Sequence, residues 1–207
     1  MTDHVTELTA LGAATLGEAG GYAMRARIKA AWSGARVCGP AYCAKNSAGD
    51  NLAIHQAAAI APVGSVIVAS VGDVPELGYW GEVLTTAAQK TGVVGLVIDG
   101  GVRDVDALRA HNFPAFSTMI ALRGASKNSA GEVGGTVTVG DVDVHTGDWI
   151  VGDVDGVVVI RANELDDVLA RGRARAAKET EMFTALNNGA TTLELLDLDE
   201  AKIGIVG

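Results

Sequence analysis

The sequence predicts an α/β fold, with layered sheets and helices outside them, in a single domain of residues 1–207. Three observations carry that prediction. The segments 65–71 (SVIVASV) and 96–98 (LVI) are short, continuous apolar runs of the kind that become strands buried on both faces. Helix-like stretches stand between such runs, ending at Ile60, spanning 80–91 and spanning 105–111. From Gly134 to Ile160 the pattern changes to short β-rich runs punctuated by Gly-Asp at 140–141, 147–148 and 152–153, and a long polar helix follows.

Taken in order, 6–19 carries Leu8, Leu11 and Leu16 among many alanines, which predicts one or two short helices ended by Gly20-Gly21. The Ala-rich segment 22–32, with Arg25, Arg27 and Lys29, is ambiguous. Residues 35–43 read as a strand interrupted by Gly39-Pro40. A turn over 47–50 leads to a helix that Asp50 or Asn51 caps and that Pro62 and Gly64 terminate. Strand 65–71, the loop 72–76, the helix 80–91 ended by Gly92, strand 96–98 and the helix 105–111 follow. Residues 113–118 form a third strand-like run, broken by Pro114, and 123–132 is a polar Gly/Ser-rich loop. Strands are expected at 136–139, 142–144, 149–151 and 157–160. A long helix over 162–187 ends at Asn188-Gly189, and the tail 191–207 adds a helical turn and a strand.

Hydrophobic residues make up 48% of the chain and aromatics 4%, so the core is mainly Val, Ala, Leu and Ile. The net charge of −9, with no basic run, argues against nucleic acid, which needs clustered Lys and Arg, and against an anionic membrane surface. No run reaches the roughly 18 apolar residues of a membrane helix. The start, Met1-Thr2-Asp3-His4, lacks the basic and apolar regions of a signal peptide, so a cytoplasmic protein is expected. Cys38 and Cys43 lie five apart on one strand and point to opposite faces, which makes them small buried hydrophobes and not a disulfide.

The candidate chemistry centres on 95–104, which reads Gly-Leu-Val-Ile-Asp-Gly-Gly-Val-Arg-Asp. The apolar run ends at Asp99, Gly100-Gly101 turns the chain, and Arg103 and Asp104 arrive together before a helix. In an α/β sheet the crevice beyond the carboxyl ends of the strands is where ligands bind. A planar guanidinium suits a carboxylate or keto oxygen. A lone aspartate suits a hard cation such as Mg²⁺, which takes few protein ligands and keeps several waters. Spacing alone leaves a second reading open, in which Asp104 merely caps the next helix.

The partner segment is 78–84, Gly-Tyr-Trp-Gly-Glu-Val-Leu, where a loop becomes a helix. Free N–H groups of Val83 and Leu84, at the positive end of the helix dipole, can bind a carboxylate or phosphate. The ordinary alternative is that Glu82 is simply an acidic residue favoured at a helix start. Lys127 lies in the polar 120s loop; loops positioned by a scaffold carry function, but an exposed lysine is usually just solvated. Lys178, Glu179 and Glu181 fall on the long helix, where such charges are usually solvated or paired at i,i+4.

Other chemistries are missing. The histidines His4, His55, His111 and His145 form no HxxxH and have no nearby Cys pair, against zinc. There is no GxxxxGK[ST], no GxSxG elbow, and no convincing GxGxxG after a strand. His55 reads as a packed histidine, and Trp80 as core or site wall.

With these residues in hand, the chain resembles the regulator of ribonuclease activity A-like family, which includes 4-hydroxy-4-methyl-2-oxoglutarate / 4-carboxy-4-hydroxy-2-oxoadipate aldolases. The resemblance spans about residues 14–190. It is carried by Gly39-Pro40-Ala41, Gly49-Asp50-Asn51, Gly81-Glu82-Val83, the stretch 97–104, Pro114-Ala115-Phe116, 144–148 and 152–157. It implies the swivelling β/β/α sandwich, and a homotrimer or homohexamer with sites at subunit interfaces and the helix at about 162–188 packed on a neighbouring subunit. It also implies a divalent-metal-dependent lyase that releases pyruvate from a small 2-keto acid by retro-aldol cleavage, oxaloacetate decarboxylation or both.

By the same resemblance, Asp104 would bind Mg²⁺ or Mn²⁺, and Arg103 would hold the pyruvyl carbonyl and stabilise the enolate. Glu82 would hold a metal-bound water, and Gly81-Glu82-Val83-Leu84 would take the pyruvyl carboxylate through the amides of Val83 and Leu84. Lys127 would help with substrate. Glu179, with Glu181 competing for the role, would reach a neighbouring subunit's site. His145-Thr146-Gly147-Asp148 stands where many members of the family have Pro before Gly-Asp, and Arg161 follows the last strand where Pro is common; both departures touch turns.

The alternative from another class is a non-catalytic binding protein that regulates ribonuclease. Such members typically lack the Asp after the Arg, whereas this chain keeps Asp104 with Glu82 and Lys127. An older family label, quinone methyltransferase, finds no strand–GxGxG–helix cofactor site here.

Overall fold

The structure is a computed structural model that describes residues 2–199 and 202–204. Its helices and strands, in chain order, begin with α1 (Thr2–Glu18), β1 (Tyr22–Ala23), β2 (Lys29–Ala30) and β3 (Val37–Asn46). Then come α2 (Leu52–Ile60), β4 (Val66–Ser70), β5 (Gly78–Trp80), α3 (Glu82–Thr91), β6 (Gly95–Ile98) and β7 (Gly101–Val102). There follow α4 (Val105–Ala110), β8 (Ala115–Ser117), β9 (Met119–Ile120) and β10 (Gly131–Val133). Last are β11 (Thr136–Val139), β12 (Val142–His145), β13 (Trp149–Gly152), β14 (Val157–Ile160), α5 (Leu165–Asn187) and α6 (Thr192–Leu195).

The long strand β3 is the spine of the main sheet, whose order is β1-β14-β13-β3-β4-β6-β8-β2 with β10 added on β3. Strands β3, β4, β6 and β8 run parallel, and β13, β14 and β1 continue antiparallel. The expected interruption at Gly39-Pro40 does not occur. Pro40 pairs with Trp149 of β13, and from Ala41 onward the strand pairs with β4, so the residue without an N–H sits where the ladder changes partner. The ambiguous segment 22–32 contributes the short edge strands β1 and β2, whose brevity explains their weak sequence signal.

Three apolar clusters separate the layers. Helices α2, α3 and α4 cover one face of the parallel strands around Ile54, Leu84 and Leu108. The β11–β12 hairpin covers the opposite face around Val137, Val144 and Phe116, and α1 with α5 covers β13 and β14. Cys43 lies in the hairpin-side cluster and Cys38 at the edge of the α1–α5 cluster, on opposite faces as expected. Burial pushes both thiols up to about 11, which leaves them unreactive.

Helix α1 is two helices across a kink at Gly12 (φ 75°), where the buried Asp153 carboxylate accepts from the Ala13 N–H at 2.9 Å and starts the second piece. Residues 191–195 make the expected extra helical turn, closed by a Thr191–Glu194 capping box. The expected strand after it finds no counterpart at 196–199 or 202–204, and the remaining tail positions lie outside the described residues. No described helix is long and apolar enough to cross a membrane.

Candidate active site

A second, small parallel sheet, β5-β7-β9, grows from the carboxyl ends of the main strands: β5 follows β4, β7 follows β6, and β9 follows β8. The helix expected from residue 80 therefore begins two residues later, because 78–80 is recruited as β5. Glycines let these short strands close up. A Cβ on Gly101 would lie 2.6 Å from the Leu77 carbonyl oxygen, and one on Gly78 would crowd Arg103 Cδ at 3.0 Å.

Arg103 donates its backbone N–H to the Trp80 carbonyl at 2.8 Å, which ties the end of β7 to the end of β5. Asp104 follows in the left-handed region (φ 54°, ψ 39°) and turns the chain into α4. It sits at the N-cap position but makes no side-chain cap. Its carboxylate reaches across to α3 instead, where Oδ2 accepts from the Glu82 N–H at 3.0 Å. That geometry removes the helix-cap reading the spacing left open. The Arg103 Nε lies 3.8 Å from the same oxygen. Among the described residues Oδ1 accepts no hydrogen bond, and the side chain is 44% exposed.

These groups open onto a cavity of about 210 Å³. Val83 and Leu84 line it at the first turn of α3, where N–H groups have no helical acceptor. Arg103 and Asp104 form one wall, and Lys127 stands on another with its Nζ 3.3 Å from the Ala125 carbonyl. Asn51, the residue before α2, and His55, one turn into it, also line the cavity. Burial and the nearby Lys127 ammonium push His55 below the usual histidine range, against the opposing pull of Asp50, so the neutral ring is favoured.

Of the residues singled out in the sequence, Gly81, Val83, Leu84, Arg103, Asp104 and Lys127 are brought together here. Glu82 is adjacent through its backbone, but its carboxylate lies 3.4 Å from His111 Nε2, and neither side chain lines the cavity. Glu179 is distant: it pairs with Arg175 at 3.1 Å on α5, and Glu181 is exposed on the same helix. Asp99 belongs to a different network, clamped by the Arg27 guanidinium at 3.1 and 2.7 Å. Sequence reasoning missed Asn51 and His55. Their i,i+4 spacing at the start of a helix was the available signal, but nothing in the sequence showed that this helix end faces the 120s loop.

The chemistry of the donor set is a test of which cation its residues could hold. One carboxylate with a free oxygen, in a partly open cavity that admits water, is the donor set of Mg²⁺ or Mn²⁺, which take one or two carboxylates and retain water. Among the described residues no group of three His, Cys, Asp or Glu converges, so a closed zinc-type cage is not built.

A model of the RraA-like family, described as Aldolase/RraA, matches residues 9–159. A protein of Halalkalibacterium halodurans, provisionally named a 4-hydroxy-4-methyl-2-oxoglutarate aldolase, is 31% identical over 158 residues, which is 76% of this chain and 75% of that protein. The crystal structure of an uncharacterized protein from Pseudomonas syringae pv. tomato superposes with a TM-score of 0.80 at 27% identity, over 92% of this chain and 91% of that one. The RNA-processing inhibitor RraA from Thermus thermophilis shares the fold, with a TM-score of 0.63 at 24% identity over 75% of this chain and 91% of that one.

Proposed function

Because the chain belongs to the RraA-like (Aldolase/RraA) family, we propose that it is a divalent-cation-dependent carbon–carbon lyase, releasing pyruvate from a small 2-keto acid by retro-aldol cleavage, by decarboxylation of oxaloacetate, or by both. One observation supports this above the others. The Arg103 guanidinium, an Asp104 carboxylate with a free oxygen, and the helix-start amides of Val83 and Leu84 all border one small cavity.

In this reading Asp104 holds the cation, Mg²⁺ or Mn²⁺, which when bound supplies Lewis acidity toward the keto acid's oxygens. The amides of Val83 and Leu84 hold the substrate carboxylate, aided by the α3 dipole. Arg103 faces the keto oxygen and offsets the negative charge that grows there as the C–C bond breaks. Lys127, with neutral His55 beside it, meets a second carboxylate at the other end of the substrate. Buried Tyr79 and Leu84 form dry walls.

Retro-aldol cleavage also needs a proton removed from the hydroxyl that becomes a carbonyl; decarboxylation does not. Glu82 is the acidic group for that step. Its carboxylate must leave His111 and turn toward Asp104, a rotation that its exposed position allows. Glu179 or Glu181 joins it from a second copy of the chain. Assembly with further copies of the chain, as a homotrimer or homohexamer, would cover the outer half of α5, whose buried residues end at Gly172 and whose Phe183 beyond them is 60% exposed.

The test is a panel of 2-keto acids with Mg²⁺ and coupled detection of pyruvate. Pyruvate released from oxaloacetate or from 4-hydroxy-4-methyl-2-oxoglutarate is expected. A folded protein that releases none from any substrate, and that retains ribonuclease in a pull-down, would make it a regulator instead.

A further inference from the structure

The loop bearing Lys127 is fastened on both sides of that residue to one buried carboxylate. Asp50 is 1% exposed. Its Oδ2 accepts from Ser126 Oγ at 2.7 Å, from the Asn128 N–H at 2.6 Å and from the Ser129 N–H at 3.0 Å. Its Oδ1 accepts from the Leu52 N–H at 2.8 Å, which fixes the carboxylate to the start of α2. Two backbone bonds run beside it, from the Asn51 N–H to the Ser126 carbonyl and from the Ser126 N–H to the Gly49 carbonyl, both at 2.9 Å. The loop is therefore held at 126, 128 and 129, and the residue between them is left with its side chain standing in the cavity.

This arrangement differs from an ordinary loop anchor in what it excludes. An anchor needs only to hold the backbone. Here the carboxylate takes donors from the residues flanking Lys127 and none from Lys127 itself, whose Nζ has the Ala125 carbonyl at 3.3 Å as its one hydrogen-bond partner among the described residues. That exposed ammonium, with no carboxylate partner among the described residues and beside the half-buried His55, is available to an anion in the cavity. The four donors also hold Asp50 charged: burial pushes its carboxyl up, but the hydrogen bonds from Leu52, Ser126, Asn128 and Ser129 outweigh this and bring it down to about 2.

We infer that Asp50 is a positioning residue that acts through Lys127, setting the ammonium at the distance from the Val83–Leu84 amides at which it receives the second carboxylate of a dicarboxylic keto acid. The inference rests on the reading of the cavity as a 2-keto acid site. It adds that preference for a dicarboxylate over a monocarboxylate is set from Asp50, a residue that touches no substrate.

Binding of two inert 2-hydroxy acids, malate and lactate, measured by calorimetry with Mg²⁺ present, separates this role from a structural one. Both offer one carboxylate and a hydroxyl, and only malate offers a second carboxylate. The wild-type protein prefers malate by roughly tenfold, the value of one charge-assisted hydrogen bond. Lys127→Met abolishes the preference. Asp50→Asn, which has one acceptor oxygen where four donors converge, abolishes most of it, leaves lactate affinity unchanged, and adds nothing in the Lys127→Met background. Should Asp50→Asn fail to fold, Ser126→Ala removes one of the four donors and lowers the preference two- to threefold.

A malate preference that stays at its wild-type size in Asp50→Asn or in Ser126→Ala overturns the inference. So does a parallel loss of lactate affinity, or an effect that persists in full without Lys127. A wild-type protein that prefers malate in this Asp50-dependent way but releases no pyruvate would instead sink the lyase reading and leave the positioning role standing.

Discussion

The Asp104 carboxylate occupies the space a side chain on Gly81 would need. A Cβ on Gly81 would overlap Asp104 Oδ2 and lie 3.1 Å from Arg103 Cγ, although the Gly81 backbone is extended (φ −158°) and would accept any residue. Gly81 is thus required by the approach of Asp104 and not by its own conformation. Gly81→Ala is expected to displace the carboxylate and weaken Mn²⁺ binding roughly tenfold, in line with losses at residues that orient metal ligands. The helix behind it should stay folded. Mn²⁺ titration beside a thermal melt checks this; unchanged affinity would show that the close approach has no bearing on the cation.

Asp104 itself stores backbone strain, since it is a non-glycine residue at φ 54°. Asp104→Gly and Asp104→Ala both delete the carboxylate and its bond to the Glu82 N–H, so their difference isolates the backbone term. Asp104→Gly should be the more stable by about 1 kcal/mol, the cost of the left-handed region for an L-residue. Asp104→Asn tolerates that region and should lie closest to the wild type. Urea denaturation gives the order, and equal stabilities for the Gly and Ala variants would contradict it.

Asp50 sets part of the acid limit of the fold. Its folded carboxyl sits at about 2, below the roughly 3.9 of a free aspartate. A group depressed in the folded state contributes stability that is complete above the unfolded value and is lost as pH falls through the folded one. The contribution from Asp50 is therefore intact at pH 5 and disappears between about pH 4 and pH 2. Urea midpoints measured at pH 5, 4 and 3 should fall less steeply in Asp50→Asn than in the wild type. Parallel curves would show that the carboxylate is not held ionised.

Glu82 should divide the two reactions. Its carboxylate is needed where a hydroxyl proton leaves and is idle where carbon dioxide leaves. Glu82→Gln is expected to slow cleavage of 4-hydroxy-4-methyl-2-oxoglutarate by about a hundredfold, the lower range for a general base. Oxaloacetate decarboxylation should change by no more than a few-fold. Equal losses in both would remove Glu82 from the proton-transfer role.

The main strands were legible because burial on both faces writes itself as continuous apolar residues, as at Ile67 or Val97. The edge strands at 22–23 and 29–30 were not, since two-residue pairings carry no pattern. Arg103 and Asp104 were legible as a pair at the end of a strand. The sequence could not say that Asp104 reaches over to the Glu82 N–H, because that bond depends on two strand ends lying side by side in β5 and β7. His55 read as a packed side chain for the same reason: its cavity exists only once the 120s loop has folded back onto Asp50. The two departures from the family pattern, the stretch His145-Thr146-Gly147-Asp148 and Arg161, meet at the buried Asp148. The Asp148 carboxylate accepts from the His145 N–H at 2.9 Å and from Arg161 Nη1 at 2.8 Å, so a single ionic network joins both turns, away from the cavity.

The central claim is that Asp104 holds the cation on which pyruvate release depends. The most direct measurement is pyruvate production from oxaloacetate in Mg²⁺ by the wild type and by Asp104→Asn, each with and without excess EDTA, corrected for the uncatalysed reaction. Activity in the wild type that EDTA abolishes is expected, with a folded Asp104→Asn protein whose rate equals the uncatalysed one throughout. Activity that survives EDTA, or an Asp104→Asn protein as active as the wild type, would contradict that claim.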